Sequence, residues 1–283
     1  MSGSDSRLAG LRGMQNRPRW RTMNPNLNLE RPMRFFVAVI FCALVPWAAA
    51  ADPGDSEKAQ DALTAAVADP QRADDRGADE RRQLEAVVRF AEIKPGNAVI
   101  ELSPGGGYWT RVFSRLVGEN GHVYTIWPEE MAKYSAESMA KWRELADSDY
   151  SNVEILAQPA AELFVPAPAD VIFTSQNYHD YYNLDMDTAA FAASLFDALK
   201  PGGALVIIDH AAPEGTGADA TDTLHRIEGA AVKSEMEAAG FEFDAESDAL
   251  RNADDPLDVG VFDESVRGRT DQFIYRFRKP TEG

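Results

Sequence analysis

Short β-branched runs alternate with longer helix-patterned segments through most of this 283-residue chain. The strand-like runs are Ala98–Leu102, His122–Ile126, Val153–Leu156, Asp170–Thr174 and Ala204–Asp209. The helix-patterned segments between them are Trp109–Val117, Glu129–Ala146 and Met186–Leu199. Strands that alternate with helices in this way predict βαβ units and a parallel sheet. Because such crossovers are right-handed, the predicted fold is a doubly wound α/β sheet.

Different patterns flank this alternation. Apolar residues at helical spacing predict a helix from about Asp79 to Ala91, and a second one over Thr221–Ala239. Phe241–Glu246 and Gln272–Arg278 read as alternating strands, which predict a C-terminal antiparallel hairpin at the edge of the sheet. Residues 52–74 are rich in Ala and Asp and are expected to form a polar leader, so the predicted α/β domain covers residues 75–283.

The N-terminal 51 residues are interpreted as an extension followed by a signal peptide. Arg34 supplies a positive charge, Phe35–Val45 an apolar run, and Ala48–Ala50 a small-residue cleavage site. This layout predicts export to the periplasm or the medium, without stable membrane association after cleavage. An uncleaved anchor is the alternative, and translation beginning at either Met1 or Met33 fits the pattern.

The charge and the cysteine count exclude several classes of function. The formal net charge is −18 at pH 7, and residues 1–51 are rich in arginine, so the remainder is more acidic still. A strongly acidic surface repels phosphate backbones, so nucleic acid is not an expected partner. Cys42 is the only cysteine, which excludes a disulfide framework and a cysteine-ligated zinc site.

A glycine-rich turn follows the first predicted strand in the sequence VIELSPGGGYWT, Val99 to Thr110. In doubly wound sheets, ligands bind at the carboxyl ends of the strands, where glycine allows a ligand to approach the backbone. A nicotinamide dinucleotide site would need a glycine where Thr110 stands, and an acid about 20 residues further on, near Trp127. No Gly-Lys-Ser/Thr follows, so a P-loop is excluded.

The chain resembles class I S-adenosylmethionine-dependent methyltransferases over roughly residues 75–283. The resemblance depends on VIELSPGGGYWT, on ADVIFTSQNYHD at the fourth strand and on LKPGGALVIIDH at the fifth. A narrower similarity, to a secreted bacterial branch of methyltransferases, depends on NYHD, DHAAPEGTG, LHRIE, LRNADDP and RGRTDQFIYRF. The resemblance implies a Rossmann-like methyltransferase fold and S-adenosylmethionine as the cofactor.

The resemblance also implies a set of cofactor-binding residues around the methionine and ribose portions of that molecule. These are Glu101, Ser103, Gly105, Gly106, Gly107, Tyr108, Gln158 and Asn177. The chain departs from the family pattern at three places. Ser103 replaces the first glycine, Trp127 replaces the acid that grips the ribose, and Gln158 stands where an acid often binds adenine. Recognition of adenosine is therefore either rebuilt or lost.

Candidate catalytic groups follow the fourth and fifth strands. His179, oriented by Asp180, is predicted to be the base that takes a proton from a methyl acceptor. His210 is predicted to act beside it, and His225, on the predicted Thr221–Ala239 helix, is expected to approach the same place. The alternative is that these residues cap helices and hydrogen-bond loops. The spacing has no metal-binding signature, so no metal is predicted.

Two further groups have alternative interpretations. The aromatic residues Tyr108, Trp109, Tyr178, Tyr181 and Tyr182 either clamp a flat ligand or pack in the core. The arginines of the tail loops, including Arg251, either bind an anionic substrate group or form surface ion pairs.

The leading hypothesis is an exported methyltransferase that acts on a small molecule. Since S-adenosylmethionine is made in the cytoplasm, export raises the question of supply. The alternative is a non-catalytic periplasmic protein that binds a small ligand in the same crevice. An NAD-dependent oxidoreductase is disfavoured by Thr110, and the sequence leaves the acceptor and the oligomeric state open.

Overall fold

The computed structural model describes residues 53–281; the predicted signal peptide and start residues lie outside that range. The helices are α1 (Pro53–Ala68), α2 (Leu84–Ala91), α3 (Tyr108–Val117), α4 (Ala132–Ser148), α5 (Tyr178–Tyr181), α6 (Thr188–Ala198) and α7 (Gly229–Ala238). The strands are β1 (Ala98–Leu102), β2 (His122–Pro128), β3 (Val153–Gln158), β4 (Ala169–Ser175), β5 (Leu199–His210), β6 (Glu242–Ser247) and β7 (Gln272–Arg278). Within these residues, no helix is both long and apolar enough to cross a membrane.

The seven strands form one sheet in the order β3-β2-β1-β4-β5-β7-β6. β1 pairs in parallel with β2 and β4, and β4 pairs in parallel with β5. β7 is antiparallel to both of its neighbours, β5 and β6. The predicted doubly wound, mostly parallel sheet with a C-terminal antiparallel pair is therefore confirmed.

Successive residues of each central strand enter different cores. Val99 belongs to the cluster packed by α1 to α4, whereas Ile100 belongs to the cluster packed by α6 and α7. The same alternation separates Val171 from Ile172 on β4. Side chains alternate faces along a strand, so continuous apolar runs are what a sheet covered on both sides requires.

The chain changes sides of the sheet between β1 and β4. After β1 it turns into α3 on one face, and after β4 it turns into α5 and α6 on the other. The two turns therefore diverge at the carboxyl ends of neighbouring strands and leave a crevice, which is where ligands bind in open α/β sheets.

Part of the segment expected from its composition to be a loose polar leader packs against the domain. Leu63 and Ala66 of α1 are buried in the cluster that includes α3. The buried Asp69 accepts hydrogen bonds from Arg115 Nε at 2.8 Å and from Tyr150 Oη at 3.0 Å. Charged and hydroxyl partners far along the chain hold this segment, which local composition cannot reveal.

Two predicted helices begin later than expected. α2 begins at Leu84 rather than near Asp79, because Gln83 has φ of 48°, a left-handed conformation that interrupts a helix. α7 begins at Gly229, so His225 and Arg226 lie in the preceding loop and not on a helix. His225 has φ of 54°, a left-handed conformation that a helix excludes.

Candidate functional site

A cavity of about 420 Å³ opens at the carboxyl ends of β1 and β4, the position expected for a ligand in this fold. It is lined by Glu101, Leu102, Ser103, Pro104, Gly105 and Gly106 from β1 and its turn, by Tyr108 and Trp109 of α3, by Ser175, Gln176 and Asn177 after β4, and by Asp74, Asp75, Ala78, Arg81 and Arg82. The last group was not predicted, because the composition of that segment suggested a leader or a surface helix.

The three glycines of the turn have different surroundings. Gly105 has φ of +57°, and a Cβ at Gly105 or Gly106 would meet no atom within 4 Å. Their backbone is thus open to the cavity, as the sequence predicted. Gly107 does not line the cavity: it has φ of +77°, and a Cβ there would lie 1.6 Å from Cζ2 of Trp142. Position 107 therefore requires glycine because the Trp142 ring in the core packs against it.

Glu101 places a carboxylate at the inner wall of the cavity. The residue is only 2% exposed, and Thr110 Oγ1 donates a hydrogen bond to its Oε2 at 2.6 Å. Burial raises the pKa of the Glu101 carboxyl to about 8, although the Thr110 hydroxyl and the Arg111 and Arg82 charges oppose this. A cationic ligand group beside Glu101 would stabilise its ionised form.

Two buried donors beside the cavity lack a partner within the described part of the chain. They are Nε of Arg82 and Nε1 of Trp109. The Arg82 guanidinium stacks 4.5 Å from the Tyr108 ring centroid, and burial lowers its pKa. Buried donors are nearly always satisfied in folded proteins, so these two N–H groups are free to donate to acceptor atoms inside the cavity, from water or from a ligand.

Three other predicted cofactor-binding residues on the cavity wall form hydrogen bonds with neighbouring residues. Asn177 Nδ2 donates to the carbonyl oxygens of Leu102 and Ser103 at 3.2 and 3.0 Å, which ties the turn after β4 to the turn after β1. Ser103 Oγ lies 2.9 Å from Tyr181 Oη. Tyr108 Oη donates to Asp79 at 2.6 Å.

Gln158 does not line the cavity described above. Gln158 Nε2 donates a hydrogen bond to the Phe164 carbonyl oxygen at 2.7 Å, and Gln158 Oε1 accepts one from the Phe164 amide at 2.8 Å. These two bonds close the loop that follows β3. Glu130 also reaches that loop, where it accepts a hydrogen bond from the Ala160 amide. The hydrogen-bonding groups of Gln158 are thus used locally, and its predicted cofactor contact stays a prediction.

His179 lies at the start of a polar cluster on the same β4 turn. Asp209, fully buried at the end of β5, accepts hydrogen bonds from the His179 amide at 2.7 Å and pairs with His179 Nδ1 at 2.8 Å. His179 Nε2 lies 3.2 Å from Asp180 Oδ1 and 3.3 Å from His225 Nδ1. The predicted approach of His179, Asp180 and His225 is thus observed, with Asp209 as the anchor.

The charge state of His179 argues against its predicted role as a base. Burial acts to lower its pKa, but the Asp209 and Asp180 carboxylates outweigh this and raise the pKa of His179 to about 10. With that pKa the ring is an imidazolium at neutral pH and has no free lone pair to accept a proton.

His210 lies beside this cluster in the opposite electrostatic state. Its ring centroid is 6.0 Å from that of His179, and its Nδ1 lies 2.7 Å from Thr270 Oγ1. Burial lowers the pKa of His210 to about 4, and the positive charges of His179 and Arg226 act in the same direction. His210 thus lies beside His179, as predicted, and its catalytic role stays a prediction.

The aromatic residues and Arg251, for which the sequence allowed two interpretations each, have distinct surroundings in the structure. Tyr178 and Tyr181 are buried and stack near Phe191, so they pack in the core. Trp109 and Tyr108 reach the cavity wall. Arg251 forms an ion pair with Asp271 at 2.9 Å, which is the surface-pair alternative.

Comparisons with known proteins identify similar chains. A family model for protein-L-isoaspartate(D-aspartate) O-methyltransferase (PCMT) matches residues 82–215, just under half of this chain. The protein-L-isoaspartate O-methyltransferase of Methanosarcina mazei is 30% identical over 127 residues, which cover 43% of this chain and 44% of that protein. The ubiquinone/menaquinone biosynthesis C-methyltransferase UbiE of Shewanella pealeana is 29% identical over 128 residues, which cover 45% of this chain and 48% of that protein. The chain thus spans about half the length of these curated relatives.

A solved structure has the same architecture. It is a chain from the complex between the Haloferax volcanii Trm112 methyltransferase activator and the protein assigned as a methyltransferase. The match has a TM-score of 0.52 at 16% identity and covers 77% of this chain and 97% of the other. At that identity the likeness shows the fold alone.

Proposed function

We propose that this chain, which has the Rossmann-like fold of class I S-adenosylmethionine-dependent methyltransferases, is a methyltransferase that uses S-adenosylmethionine and acts on a small molecule. The observation that supports this most is the cavity at the β1–β4 switch point. It combines open glycine backbone, a buried carboxyl and unpaired buried donors.

The cavity groups fit the chemistry of that cofactor. Its methionine part has an ammonium and a carboxylate, and its ribose has two hydroxyls. Glu101 offers a desolvated carboxyl to the ammonium or to hydroxyls, and Arg82 offers an unpaired guanidinium Nε–H to the carboxylate. The open backbone of Gly105 and Gly106 lets the ligand lie against the turn without a side-chain clash.

Positioning is the main task left to the protein in such a reaction. Bound S-adenosylmethionine supplies a methyl group on a sulfonium, which an acceptor attacks in line. Asn177 holds the two cavity turns together, and Thr110 orients Glu101, so both residues fix the place of the cofactor relative to an incoming acceptor.

Cofactor binding is expected to strengthen as the pH rises toward 8. Free Glu101 has its pKa raised to about 8, so at pH 7 the carboxyl is mostly protonated. A bound ammonium favours the carboxylate and lowers that pKa, so binding releases a proton. The Kd should fall by up to about tenfold per pH unit between pH 6 and 8 and level off above. Calorimetric titration of the full chain in buffers of different ionisation enthalpy measures both the Kd and the number of protons released on binding.

Matched variants isolate the contribution of Glu101. Glu101→Gln should weaken binding by at least about tenfold at pH 8, because hydrogen bonds to a charged group contribute about 1.5–3 kcal/mol, and should abolish the proton release. Glu85→Gln changes an exposed glutamate on α2 and should leave binding unchanged. The amine of the ligand titrates in the same way with all three proteins. A difference in Kd or in proton release between them therefore comes from Glu101. Absence of binding at millimolar S-adenosylmethionine and S-adenosylhomocysteine would contradict the proposed function.

The non-catalytic alternative makes a different prediction from the same cavity. A binding protein would retain a small ligand but would transfer no methyl group to any acceptor. The match of residues 82–215 to a methyltransferase family model and the similarity to named methyltransferases favour transfer. Incubation with radiolabelled S-adenosylmethionine and extracts containing small molecules tests transfer directly, and Glu101→Gln should transfer less label at limiting cofactor.

We further propose that the protein is exported, on the basis of the charged, apolar and small-residue pattern of residues 33–51. A fusion of the full chain to a reporter active only outside the cytoplasm should be active, and deletion of residues 33–51 should abolish that activity. An active reporter after the deletion, or an inactive one before it, would contradict export.

A further inference from the structure

Three ligand-type atoms of the polar cluster lie at nearly equal distances from one another. His179 Nε2 is 3.2 Å from Asp180 Oδ1 and 3.3 Å from His225 Nδ1, and His225 Nδ1 is 3.5 Å from Asp180 Oδ1. A tetrahedral ion with bonds of about 2.0–2.1 Å separates its ligand atoms by about 3.3–3.4 Å. The three atoms therefore occupy one face of a tetrahedron of the size that Zn²⁺ adopts with imidazole and carboxylate ligands.

The hydrogen bonds of the cluster orient the His179 ring so that Nε2 faces the centre of the three ligand-type atoms. Asp209 Oδ1 lies 2.8 Å from His179 Nδ1, so the second ring nitrogen, Nε2, faces the other two groups. Histidines that bind metals usually have such a carboxylate on the opposite ring nitrogen, since it fixes the tautomer and the ring orientation. Asp209 also accepts the His179 and His210 amides, at 2.7 and 2.8 Å, which makes this partner rigid.

The loop that carries His225 is also held in place. Arg226, the next residue, is fully buried and forms a bidentate ion pair with Asp255 at 2.9 and 3.0 Å. On the other side, the carbonyl of Leu224 accepts a hydrogen bond from the Val261 amide at 3.1 Å. His225 itself adopts φ of 54°, and strained backbone of this kind persists where the surroundings enforce it.

The arrangement of these three groups favours a cation at their centre. When the proton on His179 Nε2 is displaced, a carboxylate oxygen and two ring nitrogens face one another, and their lone pairs repel at contact distance. A proton on His179 Nε2 bridges one contact at a time, whereas a metal ion at the centre satisfies all three together. The side chains of Asp180 and His225 are 29% and 35% exposed, so an ion there would retain a position open to solvent.

We propose that His179 Nε2, Asp180 Oδ1 and His225 Nδ1 bind one divalent transition-metal ion of the Zn²⁺ type. Three protein ligands and an open position are the arrangement of catalytic rather than structural zinc sites. The fourth position takes water or an oxygen atom of a small ligand. Since His179 follows two residues after Asn177 of the cofactor cavity, such an ion lies on the same β4 turn that closes that cavity.

Metal titration of the tag-free full chain tests this site independently of methyl transfer. After dialysis against a chelator, the protein is titrated with Zn²⁺ against a chromophoric indicator, and with Co²⁺ while the visible spectrum is recorded. One equivalent should bind, with the intense d–d bands of four-coordinate Co²⁺. His225→Ala and Asp180→Asn should each weaken binding at least tenfold, because loss of even an outer-shell partner costs about 10–100-fold.

The control is His122→Ala, which removes a histidine that also lies near a glutamate, Glu154, at 3.5 Å. It should bind metal like the wild type, and Cys42 is present in every protein compared. Circular dichroism melts show that each variant is folded. Binding of less than one equivalent by the wild type, or equal affinity in the wild type and His225→Ala, would mean that a proton alone occupies the cluster and would overturn the proposal.

Discussion

Replacing Arg226 with Ala is expected to lower the free energy of unfolding by about 3–5 kcal/mol, because it leaves the Asp255 carboxylate buried without its partner. Both side chains are fully buried, and the guanidinium also donates to the carbonyl oxygens of Val259 and Ala211 at 2.9 and 3.0 Å. Urea denaturation of the wild type and the variant at pH 7 measures the difference.

The pH dependence of that difference identifies its cause. Burial opposes ionisation of Asp255, but Arg226 and the Asp271 and Leu257 amides outweigh this and lower its pKa. The ion pair therefore stabilises the protein above the unfolded value of about 3.9 and is lost as the pH falls further. The gap between wild type and Arg226→Ala should narrow in acid.

A surface arginine gives the matched control for this prediction. Arg251→Ala removes a half-exposed partner of Asp271 and should cost less than about 1 kcal/mol. Replacing both members of the buried pair, as Arg226→Met with Asp255→Leu, should recover part of the lost stability, since apolar substitutes avoid the uncompensated charge. A loss below 1 kcal/mol in Arg226→Ala would show that Asp255 finds solvent or another cation.

Gly107→Ala is the substitution in the glycine turn with the largest expected effect. The new Cβ would lie 1.6 Å from Cζ2 and 2.2 Å from Cε2 of Trp142, a side chain that is only 2% exposed. The backbone at Gly107 is also left-handed, with φ of +77°. Left-handed strain of about 1–2 kcal/mol and overpacking of about 1–3 kcal/mol together predict a loss of about 2–5 kcal/mol. Thermal and urea unfolding measure it.

The two neighbouring glycines separate these causes within the same turn. Gly105→Ala has the strained backbone, φ of +57°, without a clash, so it should cost only about 1–2 kcal/mol. Gly106→Ala has neither problem and should change stability by less than about 0.5 kcal/mol. If all three variants lose the same stability, the contact with Trp142 is not the reason for glycine at position 107.

The strand pattern allowed most of the sheet to be predicted. β1 and β7 have the predicted bounds, and the other strands overlap their predictions, because apolar runs between turn signals are a local property of the chain. The resemblance to class I methyltransferases agrees with the observed fold and with the family matches. The narrower secreted branch and the periplasmic location stay predictions.

The helices at the margins were predicted less well. The Asp79 start failed because Gln83 has φ of 48°, and the Thr221 start failed because His225 has φ of 54°, both left-handed conformations that interrupt a helix. Both corrections arise from single left-handed residues, which the spacing of apolar side chains does not reveal.

The sequence by itself determined the sheet, the position of the glycine turn after β1 and the placing of Glu101, Asn177 and His179 at strand ends, since spacing and side-chain period are local. Only the tertiary structure decided that Arg82 faces the cavity, that Gln158 does not, and that Asp209 anchors His179. Those outcomes depend on burial and on partners distant in sequence. Free energies of desolvation and pairing arise only when the chain has folded.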